Sequence, residues 1–391
     1  MLRSLHRTIL LVCLAGCSSE HSAELVFAPP GEPLPGLSEA ELGRFLFGKA
    51  VFDRLTTPEE GLGPLFNEPR CFSCHDRPSS GGSGGALVLK ATRFVDGSCD
   101  LLVAEGGDNI QRQATPLLVA HGIHGETVPA SATDTVRVTA PSLYGLGLVA
   151  AIPSQSILRH ADPEDVDGDG ISGRAGRTSD GRLGRFGRKS EIATLLEFVD
   201  TALRFELGLT TTMNPIEETL NGKPLPAGVD PMAEPEIDER GMRVLTDYIN
   251  FLAAPPRERP ALQSSRDSIA EGQTIFESVG CTSCHTPQMT TGESDVPALS
   301  RKVVPLYSDL LLHDMGPGLA DVCGENATPS EYRTARLWGL RDRSTFLHDG
   351  RASSPTEAIL QHDGEAAGAR TRFQALPARD LALLARFLSS L

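Results

Sequence analysis

Apolar residues recur at helical spacing in five stretches of the chain, and these stretches predict the long elements of a mainly α-helical fold. The first begins at the capping box Ser38-Glu39-Ala40-Glu41 and carries apolar side chains at positions 42, 45, 46 and 52. The second begins at Ser190, read as its N-cap, and ends at Leu207-Gly208. The other three cover residues 237–252, 266–279 and 378–391.

Proline and glycine divide the chain between these helices. Closely spaced prolines predict an extended tether over residues 18–37. Residues 76–135 are rich in Gly, Ser and Thr with weak periodicity, which predicts long loops and few short strands. Helix-breaking residues from Ala254 to Pro260 form a linker that marks the best domain boundary. We therefore expect two domains, an N-terminal one with insertions and a C-terminal one: residues 38–254 and 264–391.

Two C-x-x-C-H motifs carry the strongest chemical signal, Cys71-Phe72-Ser73-Cys74-His75 and Cys281-Thr282-Ser283-Cys284-His285. Two thiols at this spacing reach the two vinyl groups of one porphyrin, and the next imidazole ligates the iron. A thioredoxin-like redox pair would not need a histidine after each pair, and a zinc site would need the pairs close in sequence. The motifs predict two c-type haems with His75 and His285 as proximal ligands, in two cytochrome c-like haem domains.

A faint internal echo follows the two motifs in the same order. Residues 137–146 resemble residues 333–340, and residues 153–160 resemble residues 355–362. The echo predicts two related domains, the first expanded by insertions.

The N-terminus has the pattern of a processing segment, with Arg3 and Arg7 before a short apolar run. Leu14-Ala15-Gly16-Cys17 resembles the lipobox of bacterial lipoproteins, with Cys17 as the lipidated residue; an ordinary signal peptide is the alternative. We expect residues 1–17 to be a lipoprotein signal peptide with its lipobox. The protein would then be exported, periplasmic or anchored to the outer membrane, and would touch the membrane only through its N-terminal lipid.

The net charge of −15 argues against a nucleic-acid partner. An acidic surface would suit a basic redox partner protein, but many exported proteins are simply acidic. Two cysteines, Cys99 and Cys323, remain outside the haem motifs and the N-terminus. An oxidising compartment permits a disulfide between them, and the sequence leaves their pairing open.

The sixth position on each iron decides between functions, because two protein ligands favour electron transfer and an open position lets peroxide bind. For the first haem the candidates are His121, His124 and His160, each with a surface role as the alternative. Glu126 is a candidate distal acid for O–O cleavage, or else a solvated loop carboxylate.

Further polar residues have candidate roles around the haems. The guanidinium groups of Arg137, Arg333 and Arg351 are candidate partners of haem propionates. Tyr144 and Trp338 occupy equivalent places in the echo, either between the haems as electron carriers or in the core.

A D-x-D-x-D-G pattern, with Asp165, Asp167 and Asp169, has the spacing of a calcium loop. Gly176 stands where an EF-hand has its bidentate glutamate, so a turn held by aspartate hydrogen bonds is the alternative to calcium.

The chain resembles the bacterial di-haem oxidoreductases, a peroxidase-type family sometimes labelled thiol oxidoreductases, related to di-haem cytochrome c peroxidases and MauG. The motifs are GLGPLFNEPRCFSCH, PSLYGLGLVAAIP, DPEDVDGDGISGR, GRFGRKS, LLHDMGPGLAD, RTARLWGL and FLHDGRAS. Members tend to carry Trp after Arg-Phe-Gly, where this chain has Arg188. All the paired cysteines lie in haem motifs, so the thiol label receives little weight.

The resemblance implies a redox enzyme that passes electrons from a donor protein through two haems to peroxide or a related small oxidant, with the N-terminal haem as the reactive one. It also implies the second axial ligand of the C-terminal haem. Relatives usually carry Met near the place of His362, and Met315 is the second candidate. A non-catalytic electron carrier and MauG-like oxidation of a partner protein are the alternatives.

Overall fold

A computed structural model describes residues 26–391 of the 391-residue chain. The predicted signal peptide, the lipidation site Cys17 and the start of the tether lie outside the described residues. Helices supply the long elements. The α-helices of the described part are α1 Glu39–Asp53, α2 Pro116–Val119, α3 Leu146–Ala151, α4 Ser154–Leu158, α5 Leu195–Leu207, α6 Glu239–Phe251, α7 Gln263–Ser278, α8 Pro355–Leu360, α9 Ala367–Gln374 and α10 Ala378–Leu388.

The strands are short and antiparallel. They are β1 Leu65–Phe66, β2 Leu87–Val95, β3 Ser98–Asp100, β4 Asn109–Ile110, β5 Gln113–Ala114, β6 Asp134–Thr139, β7 Met289–Thr290, β8 Val303–Val304, β9 Leu312–Asp314 and β10 Glu331–Arg333. Strand β2 pairs with β3, β4 and β6 in a four-stranded sheet, and the other strands form two-stranded pairs, β1 with β5, β7 with β8 and β9 with β10. The described residues form a mixture of helices and small sheets, which agrees in part with the expected mainly α fold with long loops and few short strands; the two haem domains stay a prediction.

Two helix pairs have the same construction. Helix α1 crosses α6 at Gly48, where an added Cβ would lie 2.4 Å from the Val244 carbonyl oxygen. Helix α7 crosses α10 at Gly272, where an added Cβ would lie 2.1 Å from the Leu383 carbonyl oxygen. One turn after each glycine stands a phenylalanine, Phe52 or Phe276, which packs on an aromatic ring of the partner helix. Each pair thus brings two backbones close together beside a C-x-x-C-H motif.

The hydrophobic core continues across the predicted boundary at residues 254–264. One buried cluster joins α1, α5 and α6 to side chains from the second half, among them Leu306, Leu311 and Trp338. A second cluster lies around α7 and α10. No helix of residues 26–391 is long and apolar enough to cross a membrane.

Two local expectations are wrong. The second half of the predicted tether is part of the fold, because Val26 and Leu34 are buried and the Leu34 amide donates to the Phe251 carbonyl. Helix α5 begins at Leu195, where the side chain of Thr194 accepts the Glu197 amide. Ser190 lies outside this helix, at a positive φ of 52°.

Candidate functional site

The first motif folds into a 3₁₀ turn, Cys71–Ser73, whose geometry turns the histidine inward. The His75 amide donates to the Cys71 carbonyl at 3.2 Å, and His75 Nδ1 donates to the Gly82 carbonyl at 2.9 Å. A carbonyl can only accept, so Nδ1 carries the proton and Nε2 keeps its lone pair for a metal. The Phe52 ring lies 6.1 Å from the imidazole, centroid to centroid.

The second motif repeats this arrangement. Cys281–Ser283 form a 3₁₀ turn, and His285 Nδ1 donates to the Tyr307 carbonyl at 3.0 Å. The Phe276 ring lies 6.2 Å from the His285 imidazole. Burial lowers the pKa of His285 to about 4 and lowers that of His75 as well. Both rings are therefore neutral near pH 7 and able to ligate a metal.

The four motif thiols are not built for thiol–disulfide chemistry. Burial raises the pKa of Cys71, Cys74 and Cys281 to about 12, and it also raises that of Cys284. Reactive cysteines have lowered pKa values, because the thiolate is the nucleophile. This agrees with the little weight given to the thiol label.

An apolar cavity opens beside the first motif. It has about 580 Å³ of free space, a figure that includes the solvent at its mouth. Apolar side chains from α1, α5 and α6 form most of its wall, and the motif residues Cys71, Cys74 and His75 line it too. Among the described residues of this lining, His75 is the only histidine, and there is no methionine or tyrosine.

Glu206 supplies an acid to this cavity that sequence reasoning missed. It lies in the last turn of α5 and accepts hydrogen bonds from the side-chain amides of Asn109, at 2.9 Å, and Asn67, at 3.1 Å. Burial raises its pKa, although Asn109 and the nearby Lys90 oppose the shift. A signal was present, because Glu206 follows Val199 and Leu203 on the apolar face of its helix.

The sequence candidates for the first haem do not line this cavity. His121 and His124 are exposed after α2. Glu126 accepts the backbone amides of Gln111, at 2.9 Å, and Asn221, and burial raises its pKa to about 7. His160 lies toward Asp309, whose amide donates to the Cys284 carbonyl, so it belongs near the second motif.

His362, the predicted second ligand of the C-terminal haem, ends α8. Its Nδ1 donates to the Ala358 carbonyl at 2.7 Å, which leaves Nε2 with a lone pair. Burial lowers the pKa of His285, and the charge of His362 adds to this shift. Met315 lies in a turn that touches the residue after His362, since a Cβ on Gly316 would meet Asp363 at 2.9 Å. The assignment of His362 stays a prediction.

His313 is buried beside the second motif. Its Nε2 donates to Asp309 at 2.8 Å and its Nδ1 to Glu365 at 2.6 Å, and Cys284 Sγ lies 3.6 Å from Nδ1. Burial alone would lower its pKa, but the hydrogen bonds to Asp309, Cys284 and Glu365 raise it to about 12. It is therefore a fixed cation that holds the loop around Cys284.

The three arginines predicted for propionates are placed differently from one another. Arg333 is half-buried, with its Nε donating to the Gly187 carbonyl at 3.0 Å. Arg137 is exposed on β6. Arg351 is exposed and donates to the Gly318 carbonyl at 2.8 Å and to Asp349.

Tyr144 and Trp338 are both buried. The Tyr144 hydroxyl donates to the Ser79 carbonyl at 3.0 Å. Trp338 packs against Gly145, where an added Cβ would lie 2.6 Å from its ring. The two echo residues therefore meet through Gly145 in the shared core.

Three carboxylates come together in the aspartate turn, but Asp162 takes the place that the sequence pattern gave to Asp169. The carboxylates of Asp162, Asp165 and Asp167 lie within 4.8 Å of one another, whereas Asp169 accepts the Ile171 amide at 2.8 Å. Away from this turn, Cys99 and Cys323 form a disulfide with Cα atoms 5.9 Å apart, which settles the pairing that the sequence left open.

Sequence comparison decides the family. The family described as "di-haem oxidoreductase, putative peroxidase" matches residues 130–391. The chain belongs to this family. The resemblance stated from the motifs is thereby confirmed, and a di-haem redox role follows for this di-haem oxidoreductase at a coarse level.

Curated proteins gave no match to this di-haem oxidoreductase. Among solved structures it is similar to hydrazine synthase of Kuenenia stuttgartiensis (TM-score 0.42, 15% identity, 100% of this chain and 99% of the other). It is similar to a MauG-like protein associated with microbial copper homeostasis (0.40, 14%, 94% and 93%). It is also similar to a variant of the di-haem peroxidase BthA of Burkholderia thailandensis (0.40, 15%, 91% and 87%). The family assignment rests on the sequence match.

Proposed function

We propose that the protein is an exported c-type di-haem oxidoreductase that reduces peroxide, or a related small oxidant, with electrons from a partner protein. The observation that carries the proposal is the asymmetry between the two motif histidines. His75 lines a cavity whose described lining offers no second histidine, methionine or tyrosine, whereas the charge of His362 contributes to the lowered pKa of His285. An open iron position suits peroxide, and two protein ligands suit electron transfer.

The residues present fit covalent haem at both motifs. Each has two free cysteines, of which Cys74 is buried and the other three are half-buried, and a histidine whose Nδ1 donates to a carbonyl; the first motif also adjoins an apolar cavity. Cys71 and Cys74 would hold the first haem, and Cys281 and Cys284 the second. When bound, the haem irons supply the electron storage and the coordination position for the oxidant. The proposal includes two cytochrome c-like units. Each contains a pair of helices that cross at a glycine, Gly48 or Gly272.

Glu206 supplies the proton chemistry of the reactive site. Burial raises the pKa of Glu206, so the side chain keeps its proton to a higher pH than a solvated glutamate does. A carboxylic acid in this place can donate a proton to a leaving oxygen as the O–O bond breaks. Asn67 and Asn109 fix the position of the carboxyl group for this task.

The surroundings of the reaction complete the proposal. Cys17 carries the lipid that anchors an otherwise periplasmic enzyme, and a redox partner protein delivers the electrons. Calcium bound by Asp162, Asp165 and Asp167 would hold the turn that follows α4.

Spectroscopy of the full-length, haem-loaded protein tests the function. Visible and EPR spectra of the oxidised and half-reduced protein should show one haem with two protein ligands and one that changes when hydrogen peroxide is added. If both haems stay low-spin and ignore peroxide in every redox state, the protein is an electron carrier and the proposal is wrong.

A further inference from the structure

Four arginines gather between the two halves of the chain, and none of them has an ion-pair partner among residues 26–391: Arg188, Arg333, Arg336 and Arg343. The pKa values of Arg188 and Arg333 are lowered to about 10, chiefly by burial, and the positive charge of an arginine neighbour contributes to each shift. The pKa of Arg336 is lowered by burial and then by the charges of Arg333 and Arg343. The Arg333 amide donates to the Arg188 carbonyl at 2.8 Å, so these two residues are direct neighbours.

Their hydrogen bonds go to backbone carbonyls, which carry no full charge. Arg188 donates to the Thr139 carbonyl, Arg336 to the Ser142 carbonyl at 3.0 Å, and Arg343 to the Arg336 carbonyl at 3.4 Å. Arg336 is 7% exposed, and its Nε has no hydrogen-bond partner within the described chain. An unpaired buried charge is costly, so such a group calls for an anion.

The acids near the cluster are engaged elsewhere. Asp321 and Asp349 both raise the pKa of Arg188, against the larger effect of burial. The Asp321 carboxylate, however, is bound by His348 and by the Tyr332 hydroxyl, and Asp349 pairs with Arg351. The positive charge of the cluster is therefore not neutralised by protein carboxylates within hydrogen-bonding distance.

The cluster adjoins the loops of both motif histidines. Arg336 donates a hydrogen bond to the Ser142 carbonyl. The residue before Ser142 is Pro141, whose carbonyl faces the His75 ring, and the residue after it is Leu143, which lines the first cavity. On the other side, the Thr334 carbonyl accepts the hydroxyl of Ser308, the residue after Tyr307 that fixes His285.

We propose that Arg188, Arg333, Arg336 and Arg343 form a carboxylate-binding site for haem propionates between the two haems. The inference rests on the proposed haem content and adds the residues that bind the propionates. Arginine forks bind carboxylates bidentately, and Arg336 Nε is the free donor of this site. The cluster neutralises the propionates, which favours the reduced haem. Arg188, which stands where relatives tend to have Trp, contributes one of the four charges.

The test measures the midpoint potential of each haem in the haem-loaded protein by spectroscopic redox titration. The variants are Arg336→Gln, Arg336→Lys and Arg188→Gln, with Arg379→Gln as the control. Arg379 is exposed and pairs with Glu271 at the surface, so the control removes the same charge far from buried groups.

Arg336→Gln and Arg188→Gln should lower at least one midpoint potential, with a fall of about tenfold in the ratio of reduced to oxidised haem, or about 59 mV for one electron. Arg336→Lys should recover part of the shift, and Arg379→Gln should have none. The potentials of the Gln variants should also become more dependent on pH, because an uncompensated propionate takes up a proton on reduction. A purely structural role would not produce that dependence.

Two results would overturn the inference. One is a set of unchanged potentials in both Gln variants; Arg188 is only half-buried, so its variant is expected to fold even if Arg336→Gln does not. The other is a midpoint potential of the wild-type protein that changes with added inorganic phosphate and reaches a plateau. That result would mean that the site binds an exchangeable anion. Shifted potentials without any peroxide reaction would overturn the proposed function alone, and a protein without covalent haem would overturn both.

Discussion

Glu206 is the single residue on which the peroxide chemistry depends most directly. Glu206→Gln keeps the size of the side chain but cannot donate a carboxyl proton, so the rate of reaction with hydrogen peroxide should fall by roughly 10²–10⁴-fold. Stopped-flow spectroscopy of the half-reduced protein measures this rate. Glu126→Gln is the matched control, because Glu126 is also a carboxyl group with a pKa raised by burial but does not line the cavity. Equal rates in all three proteins would exclude Glu206 as the acid.

The pH dependence follows from the sign of the shift. The folded protein holds the pKa of Glu206 above the usual value, so the protonated acid persists to a higher pH than in a solvated glutamate. The peroxide reaction should be fast below the raised pKa and slow as the pH passes above it. The Glu206→Gln variant should lose this fall in rate.

His362 makes a separate prediction about the second haem. Removing its imidazole in His362→Ala should take away the second axial ligand, and the low-spin EPR signal of that haem should give way to a high-spin one. Met315→Leu should leave the signal in place. If Met315→Leu changes the spectrum and His362→Ala does not, the second axial ligand is Met315.

At the scale of residues, the sequence predicts what is local in the chain. The attachment cysteines and the proximal histidines stand within five positions, so a spacing rule is enough to identify them. Glu206 and the partners of Arg333 come together only through tertiary packing. For this reason the sequence offered Glu126 as the acid, and it offered Arg137 and Arg351, which the structure leaves exposed.

The two glycine crossings support a prediction about elements. Gly48→Ala and Gly272→Ala place a methyl group against the backbone of the partner helix, at 2.4 Å and 2.1 Å from a carbonyl oxygen. Each should lower the free energy of unfolding by about 1–3 kcal/mol, as overpacking does. Gly43→Ala, in the same helix as Gly48 but with no atom within 4 Å, should be neutral or slightly stabilising. Urea unfolding measures all three, and equal effects at Gly48 and Gly43 would contradict the close crossing.

Periodicity identified all five long helices, because an amphipathic stripe is a property of consecutive residues. The periodicity places the start of α5 too early, because it does not show that the residues before the helix pair with another segment. Ile192 pairs with Phe186 in an antiparallel bridge, which keeps the backbone extended up to Thr194. Thr194 has the same capping chemistry as Ser190, and only the bridge decides between them. The short strand pairs were equally beyond the sequence, since their partners are distant in the chain.

At the scale of the whole molecule, the halves are joined more closely than the linker suggests. The core that contains Trp338 also contains Tyr144 and Leu252, so residues from both sides of the predicted boundary share one interior. The arginine cluster lies in the same region. Breaker residues can show where a chain leaves a helix, but whether the next segment packs back is decided by surfaces far apart in sequence.

The disulfide is a second tie between the halves, from the edge strand β3 to a buried position at Cys323. It closes a loop with a sequence separation of 224 residues. A cross-link over so long a segment restricts the unfolded chain strongly, and its loss should cost roughly 2–5 kcal/mol. The double variant Cys99→Ala, Cys323→Ala avoids leaving a free thiol.

Chemical unfolding of the haem-loaded protein, followed by fluorescence of the one tryptophan, measures this effect. A mild reductant should destabilise the wild type by the same amount, because thioether bonds to haem resist reduction, and it should not affect the double variant. A wild type whose stability is indifferent to the reductant, while mass spectrometry shows the disulfide cleaved, would mean that the non-covalent core alone holds the halves together.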